Sequence, residues 1–451
     1  MNIFFERQVD ACLQRGICEV AFPTIYSLMK KHSETYLVIA TLWLLVFVAA
    51  SQIIIVAPIL PRIAEELSIE KSALGLLLTA YAISAGVFAL VAGPISDRFG
   101  RRRILLAGSG FLAVTLGLHG LADSFLALLI VRLLTGVAGG LLSGAVVSYI
   151  GDYFPAHRRG WASGWAMSGA AAGQTVGIFF GSLLASWFGF RAPFLCFAII
   201  AAAAFLLIWL RLPQPEVRLS ASLSFRSSLT GYASLLRRSD VRVVATIWMT
   251  TLMAISIFGT FFPIWLEEDL AFTAFLVSLL YGIGGVATVL VGPWAGKVSD
   301  RIRRTNVIIG ASIGIALLIP AIALVEPPFS WAIYPLYFLI MAFAVSRRTP
   351  LQALMTQMAT GEHRGSLMSL VLSMSKIGFG IGSALASGVW HHFGFIGNAM
   401  VATASVFLMI AIVWRYLRDI ENGLLLEERK SEGESGVDPS THLSLLDSHH
   451  G

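Results

Sequence analysis

Twelve times along this chain the residues stay apolar for long enough to cross a bilayer, and no other feature restricts its fold as much. The runs cover about 36–60, 72–95, 104–121, 125–150, 161–187, 191–210, 242–266, 272–296, 305–325, 329–357, 365–390 and 395–417. Hydrocarbon offers backbone groups no partner, so runs of this length must close their hydrogen bonds internally, as helices. A barrel strand needs only about ten residues. The composition agrees: 57% of the 451 residues are hydrophobic and 13% charged, against roughly 25% charged in soluble domains. The expected fold class is an all-α polytopic membrane protein with twelve transmembrane helices.

The net charge of +6 invites a nucleic-acid reading, but the basic residues lie in short blocks between apolar runs. That is the pattern of membrane topology, where Lys and Arg mark the cytoplasmic loops. With both termini inside, the cytoplasmic segments hold 25 Lys and Arg, and the external loops only Arg62, Lys71 and Arg191. The first run is long enough to anchor, so no removable leader is expected. Residues 1–35 form a cytoplasmic lead, with 17–29 either on the membrane surface or disordered. The polar stretch 211–241 links two six-helix halves, 36–210 and 242–418, and 419–451 forms a flexible cytoplasmic tail. Cys12, Cys18 and Cys196 have neither disulfide nor metal-ligand spacing. No phosphate-binding Gly-x-x-x-x-Gly-Lys-Ser/Thr loop is present, so ATP-driven pumping is not expected, and neither is any cofactor or metal.

The halves repeat. Arg159-Gly160 returns as Arg364-Gly365, Gly173 as Gly378, Gly177 as Gly382 and Phe188-Gly189-Phe190 as Phe393-Gly394-Phe395, always 205 residues later. The basic loop Gly93-Pro94-Ile95-Ser96-Asp97-Arg98-Phe99-Gly100-Arg101-Arg102-Arg103 returns in part as Gly296 to Arg304. In that copy Arg303 replaces the second glycine. Related halves place a substrate cavity where they meet, near the bilayer midplane.

On these residues the chain resembles the major facilitator superfamily of transporters. Gly-x-x-x-Asp-Arg-x-Gly-Arg-Arg-Arg at 93–103 is similar to that family's loop between helices 2 and 3. The resemblance implies two pseudo-symmetric halves, alternating access, and a conformational latch at Gly93, Asp97, Arg98, Gly100 and Arg101. Asp300, Arg301 and Arg304 form its second copy. In such a latch Asp97 meets the start of helix 11 near Arg364–Leu367, where a helix N-terminus favours an anion. Asp97 and Arg101 are also spaced to pair if the turn is helical. Gly93 would allow a close helix approach, and Gly100 a turn with positive φ.

Arg132, in Arg132-Leu133-Leu134-Thr135-Gly136, looks like the family's helix 4 motif, whose arginine is implicated in proton coupling. Gly164, Gly173, Gly177 and Gly181 resemble the helix 5 motif of drug/proton antiporters, with Ile178 and Ser182 standing where proline and glycine are expected. Packing alone also explains the Gly173, Gly177 and Gly181 face. Lys376 is the least expected residue, about eleven positions into helix 11. Arg132 and Lys376 are expected to face the cavity, since an intramembrane charge needs one or a partner. Gln52, Tyr81, Gln174, Arg347, Arg348 and Gln352 are further candidates to contact substrate. No Asp or Glu falls at a predicted helix centre.

The leading expectation is proton-linked efflux of a small organic compound across the plasma membrane, with protons as coupling ion, the lipid bilayer as a partner and no nucleic acid. A carrier of an organic anion is the competing reading, because Lys376, Arg347 and Arg348 supply positive charge. A non-transporting sensor on the same fold is the third. No nucleophile–base or metal constellation supports an enzyme.

Overall fold

The computed structural model describes residues 18–215, 225–358 and 364–423. The first half contains α1 (Cys18–Ile54), the short α2 (Leu60–Leu67), α3 (Lys71–Phe99), α4 (Arg101–Leu118), α5 (Phe125–Tyr153), α6 (Ala156–Ala172), α7 (Ile178–Phe188) and α8 (Arg191–Arg211). A linker helix α9 (Phe225–Arg237) precedes the second half, α10 (Ser239–Glu268), α11 (Ala274–Arg301), α12 (Arg304–Ala323), α13 (Ile333–Met358) and α14 (Arg364–Ile412). α6 and α7 are one span joined by a π-helical turn, Gly173–Gly177. α14 is two spans, broken at Gly394 (φ 60°, ψ −157°). Glycine takes that backbone without a Cβ clash, so one unbroken apolar stretch turns back and, among the described residues, the spans number twelve.

The outer surface shows that this bundle belongs in lipid. Ile199 is 72% exposed, Leu317 66% and Val289 65%. Apolar surface on that scale would aggregate in water and is at home among acyl chains. Trp187, Trp209, Trp331 and Trp414 are exposed too, as amphipathic rings near a membrane boundary are.

Helices in a bilayer are held by close packing and hydrogen bonds, and small residues make both possible. A Cβ on Gly173 would lie 2.4 Å from the Phe47 carbonyl, on Gly177 2.4 Å from Ser51 Oγ, and on Gly181 2.3 Å from Ile55 Cδ1. Phe47 and Ser51 belong to α1, and Ile55 directly follows its last residue. Ser51 Oγ also donates to the Gly173 carbonyl at 3.1 Å. The second half repeats the arrangement. A Cβ on Gly378 would lie 2.2 Å from the Met249 carbonyl, and on Gly382 2.5 Å from the Met253 carbonyl, both on α10. The 205-residue repeat is thus one helix-pair contact built twice.

Three features were not foreseen. α1 already runs as a helix from Cys18, through the second part of the expected lead. Within the polar linker, α9 packs on α10 and reaches α3, where Tyr232 Oη donates to the Leu90 carbonyl at 3.0 Å. Beyond α14, Glu421 is 6% exposed and caps the start of α12. It accepts from Arg304 N at 2.9 Å, Thr305 N at 3.3 Å and Thr305 Oγ1 at 2.5 Å. The rest of the expected tail, 424–451, lies outside the described residues, as do 1–17.

Two substitutions check this packing. Gly378→Ala drives its methyl into the backbone of α10, which cannot yield, and should cost about 1–3 kcal/mol. It should show as a clear drop in the melting temperature of purified protein. Glu421→Ala leaves three donors without their acceptor and should destabilise by about 1–3 kcal/mol, again read by thermal unfolding.

Candidate functional site

α3 ends and α4 begins at one face of the bundle, named here the basic face for its arginines. At the opposite face the two halves are closed against each other. α3 of the first half crosses α14 of the second along a seam of small residues. Ser383 Oγ donates to the Gly75 carbonyl at 2.8 Å, Thr79 Oγ1 to the Gly380 carbonyl at 2.9 Å, and Ser373 Oγ to the Gly86 carbonyl at 2.6 Å. A Cβ on Gly75 would meet Ser387 Oγ at 2.3 Å and the Ser383 carbonyl at 2.6 Å. The second crossing, α7 on α11, carries a Ser182–Ser278 hydroxyl pair at 2.7 Å. Ser182 is one of the two departures from the antiporter motif, with Ile178, and its hydroxyl is what meets the other half. At the rim, Lys71 Nζ lies 2.6 Å from Glu268 Oε2. Both are about half exposed, so this pair contributes about 0–1 kcal/mol and marks the closure more than it makes it. An apolar groove of about 580 Å³ runs beside the α3–α14 seam, between Ile83, Ile381, Leu385 and Val389.

Nearer mid-membrane, two cations bridge the halves. Lys376 Nζ on α14 donates to Ser143 Oγ on α5 at 3.1 Å. Arg348 Nη1 on α13 donates to Gln174 Oε1 at 2.9 Å. Gln174 sits in the π-helical turn, whose extra residue re-aims its side chain toward the second half. Arg348 is exposed although it lies at mid-helix, so solvent reaches it between the halves. Gln352, one turn along α13, is exposed as well. Among the described residues no carboxylate pairs with Lys376 or Arg348.

The other candidates lie elsewhere. Arg132 does not line the space between the halves: it is 1% exposed and buried within the first half. α5 packs along α3, and the face that carries Arg132 turns inward. Its Nη2 donates to the Gln52 carbonyl at 2.8 Å, and its guanidinium lies 4.5 Å from the Tyr81 ring centre and 6.0 Å from that of Phe194. Gln52 and Tyr81 are therefore not cavity groups either. Gln52 is 0% exposed, with neither amide atom hydrogen-bonded among the described residues, and Tyr81 Oη donates to the Ala49 carbonyl at 3.1 Å. His119, which the sequence did not single out, completes this buried cluster. Its ring stacks on Phe194 at 4.0 Å and its Nδ1 donates to the Thr115 carbonyl at 2.9 Å. A histidine inside an apolar run was its only sequence signal. Arg347, expected with Arg348, is 1% exposed inside the second half. Consecutive helix positions point about 100° apart, so only one of the two can face the interface.

At the basic face Gly100 takes φ 91°, the turn that only glycine makes easily. Arg101 pairs with Asp152 at the end of α5 (Nε–Oδ2 2.6 Å) and donates to Ser96 Oγ at 2.6 Å. Arg98 is exposed, its guanidinium 5.5 Å from the Phe99 ring centre. Among the described residues the nearest atom to a Cβ on Gly93 is Tyr232 Oη at 4.0 Å, while the Gly93 backbone N lies 3.7 Å from where a Cβ on Gly144 of α5 would stand. In the second copy Arg304 Nη1 donates to Gln357 Oε1, and Arg301 is exposed. The side chains of Asp97, Asp300 and Arg364 lie outside the described residues, so the Asp97 contact with helix 11 does too.

Residues 42–347 match the family model described as Major Facilitator Superfamily. The chain belongs to that superfamily. It is a secondary active transporter, an integral membrane protein and not an enzyme. It is similar to the multidrug resistance protein MdtG of Salmonella dublin and of Salmonella typhimurium, 29% identical over 390 residues in each case. Those alignments cover 83% of this chain and 94% of the relative. Two solved structures share the fold. A D-xylose–proton symporter superposes with a TM-score of 0.67 at 18% identity, covering 85% of this chain and 97% of the symporter. The human organic anion transporter MFSD10 gives 0.63 at 18% identity, covering 84% and 99%.

The closed seam can be probed directly. Lys71→Cys with Glu268→Cys should cross-link under mild oxidation, in otherwise cysteine-free protein. Adding Gly75→Leu wedges the seam and should slow that cross-linking several-fold.

Proposed function

We propose that this superfamily member exports small organic compounds in exchange for protons across the plasma membrane, with both termini and the basic face in the cytoplasm. The observation that carries the export reading is the likeness to multidrug resistance proteins over nearly their whole length. The 25-to-3 distribution of Lys and Arg supports the orientation. In that orientation the structure is closed toward the outside. The Asp97 and Asp300 loops then serve as an inner latch for the opposite state, with Arg98, Arg101, Arg301 and Arg304 holding their geometry. Gln174, Arg348, Gln352 and Lys376, on both sides of the water-reached interface, contact the substrate. Arg132 couples the proton from within the first half, through the helices that pack on it.

A second reading has an observation of its own. The bridging groups at the interface are cations, Lys376 and Arg348, with no carboxylate paired to either among the described residues. That arrangement suits an organic anion.

Reconstituted vesicles with an imposed pH gradient separate the readings. Uptake of ethidium into inside-out vesicles, collapsed by a protonophore, is expected for export. Lys376→Gln should then change ethidium transport less than tenfold. Gradient-dependent movement of a small aromatic carboxylate instead, lost in Lys376→Gln, would make the protein an anion carrier. Binding of either probe without flux would make it a sensor. Orientation is tested separately in otherwise cysteine-free protein. A membrane-impermeant maleimide added to intact cells should label Asp123→Cys and spare Arg303→Cys.

A further inference from the structure

Among the buried charged side chains of the described residues, Arg347 has the least to hold it. It is 1% exposed, midway along α13 and hence near mid-membrane, where an uncompensated charge is costly. Its one hydrogen-bond partner among the described residues is the Met409 thioether, 3.9 Å from Nη1, and sulfur is a weak acceptor. Its Nε is buried with no partner. Among the described residues no ion pair involves it, whereas Arg101 and Arg191 each meet a carboxylate. On α10, Trp248 is 3% exposed and its Nε1–H is likewise buried and unpartnered. Trp248, Met409 and Leu351, one helical turn beyond Arg347, belong to a single packed cluster. Thr251, a turn along from Trp248, donates its hydroxyl to the same Met409 sulfur at 3.2 Å.

The chemistry of this set is one-sided. Guanidinium and indole N–H groups only donate. The threonine hydroxyl can turn to donate as well. A metal cation finds only the thioether and the threonine oxygen as lone-pair donors there, and the guanidinium charge repels it. A water molecule would accept from these donors and could give one hydrogen to the threonine oxygen, but it would leave the other without a good acceptor and would not offset the charge. A small monovalent anion answers both deficits, because buried charges persist when paired and hydrogen-bonded. A bulky organic anion does not suit a site this closed. We propose that the second half holds a chloride-sized inorganic anion between Arg347, Trp248 and Thr251, apart from the transport interface. Arg348, the next residue, is exposed between the halves, so that space comes within one residue of the site. The site balances the charge of α13 and stiffens its contact with α10 and α14, whatever the transported substrate is.

The test uses the full-length protein in detergent, with chloride as probe. Melting temperature is followed as potassium gluconate is replaced by chloride at constant ionic strength, and bound radioactive chloride is counted by equilibrium dialysis. The expected result is a saturable rise in melting temperature and about one chloride per chain. Both should be lost in Arg347→Gln, weakened several-fold in Trp248→Phe and kept in Arg348→Gln. If Arg347→Gln does not fold, Trp248→Phe and Arg348→Gln still decide between the two places. No saturable binding by the native protein overturns the proposal. So does binding that survives Arg347→Gln, or binding lost in Arg348→Gln and unchanged in Trp248→Phe, which would put the anion at the interface.

Discussion

One of the two crossings that join the halves is built on backbone carbonyls. Where α3 crosses α14, Gly75, Gly86 and Gly380 each present a carbonyl to a hydroxyl of the other helix. In lipid, apolar side chains gain little by leaving hydrocarbon, so van der Waals fit and hydrogen bonds decide which helices stay together. The fit at Gly75 leaves no room for a methyl group. The arrangement of the site follows from this seam. It shuts the face that carries Lys71 and Glu268, and it brings α14 beside α5 so that Lys376 meets Ser143.

The interior is otherwise marked by positive charge. Arg132 and Arg347 are buried one in each half, and Lys376 and Arg348 bridge the gap between them. Glu421 is the only carboxylate among the buried described residues, and it lies at the basic end, tied to the start of α12. The two buried arginines differ in how they are held. Arg132 has carbonyl oxygens and aromatic faces around it, whereas Arg347 has a thioether. The same residue type at similar cost therefore plays different parts in two halves that share a fold.

Much of the architecture was legible because hydropathy sets span length and glycine spacing sets helix contact. The 205-residue offset pointed to Gly173 and Gly378 as equivalents, and their contacts with α1 and α10 are equivalent. The direction of a single side chain was not legible. Arg132, Gln52 and Tyr81 are polar groups in apolar helices, and the periodicity of an almost wholly apolar helix does not tell an inward face from an interface. Gly75 and Gly380 escaped notice because glycine is common in membrane helices, and their partners lie about three hundred residues away in the chain. Glu421 and α9 fell in stretches whose polarity reads as solvent-exposed, although each docks on the helical bundle.

The π-helical turn between α6 and α7 carries a mechanical consequence. Such a turn holds one residue more than an α-helical turn, so the segments on either side of it are out of phase by about 100°. Were the turn to tighten into regular helix, α6 would swivel by that angle relative to α7. Gln174 would be carried off Arg348 while Gly181 stayed against Ile55. A second such turn, Val413–Leu417, stands just before the Glu421 cap. Two spans thus contain a stored quantum of rotation, a way of turning one end of a helix without moving the other.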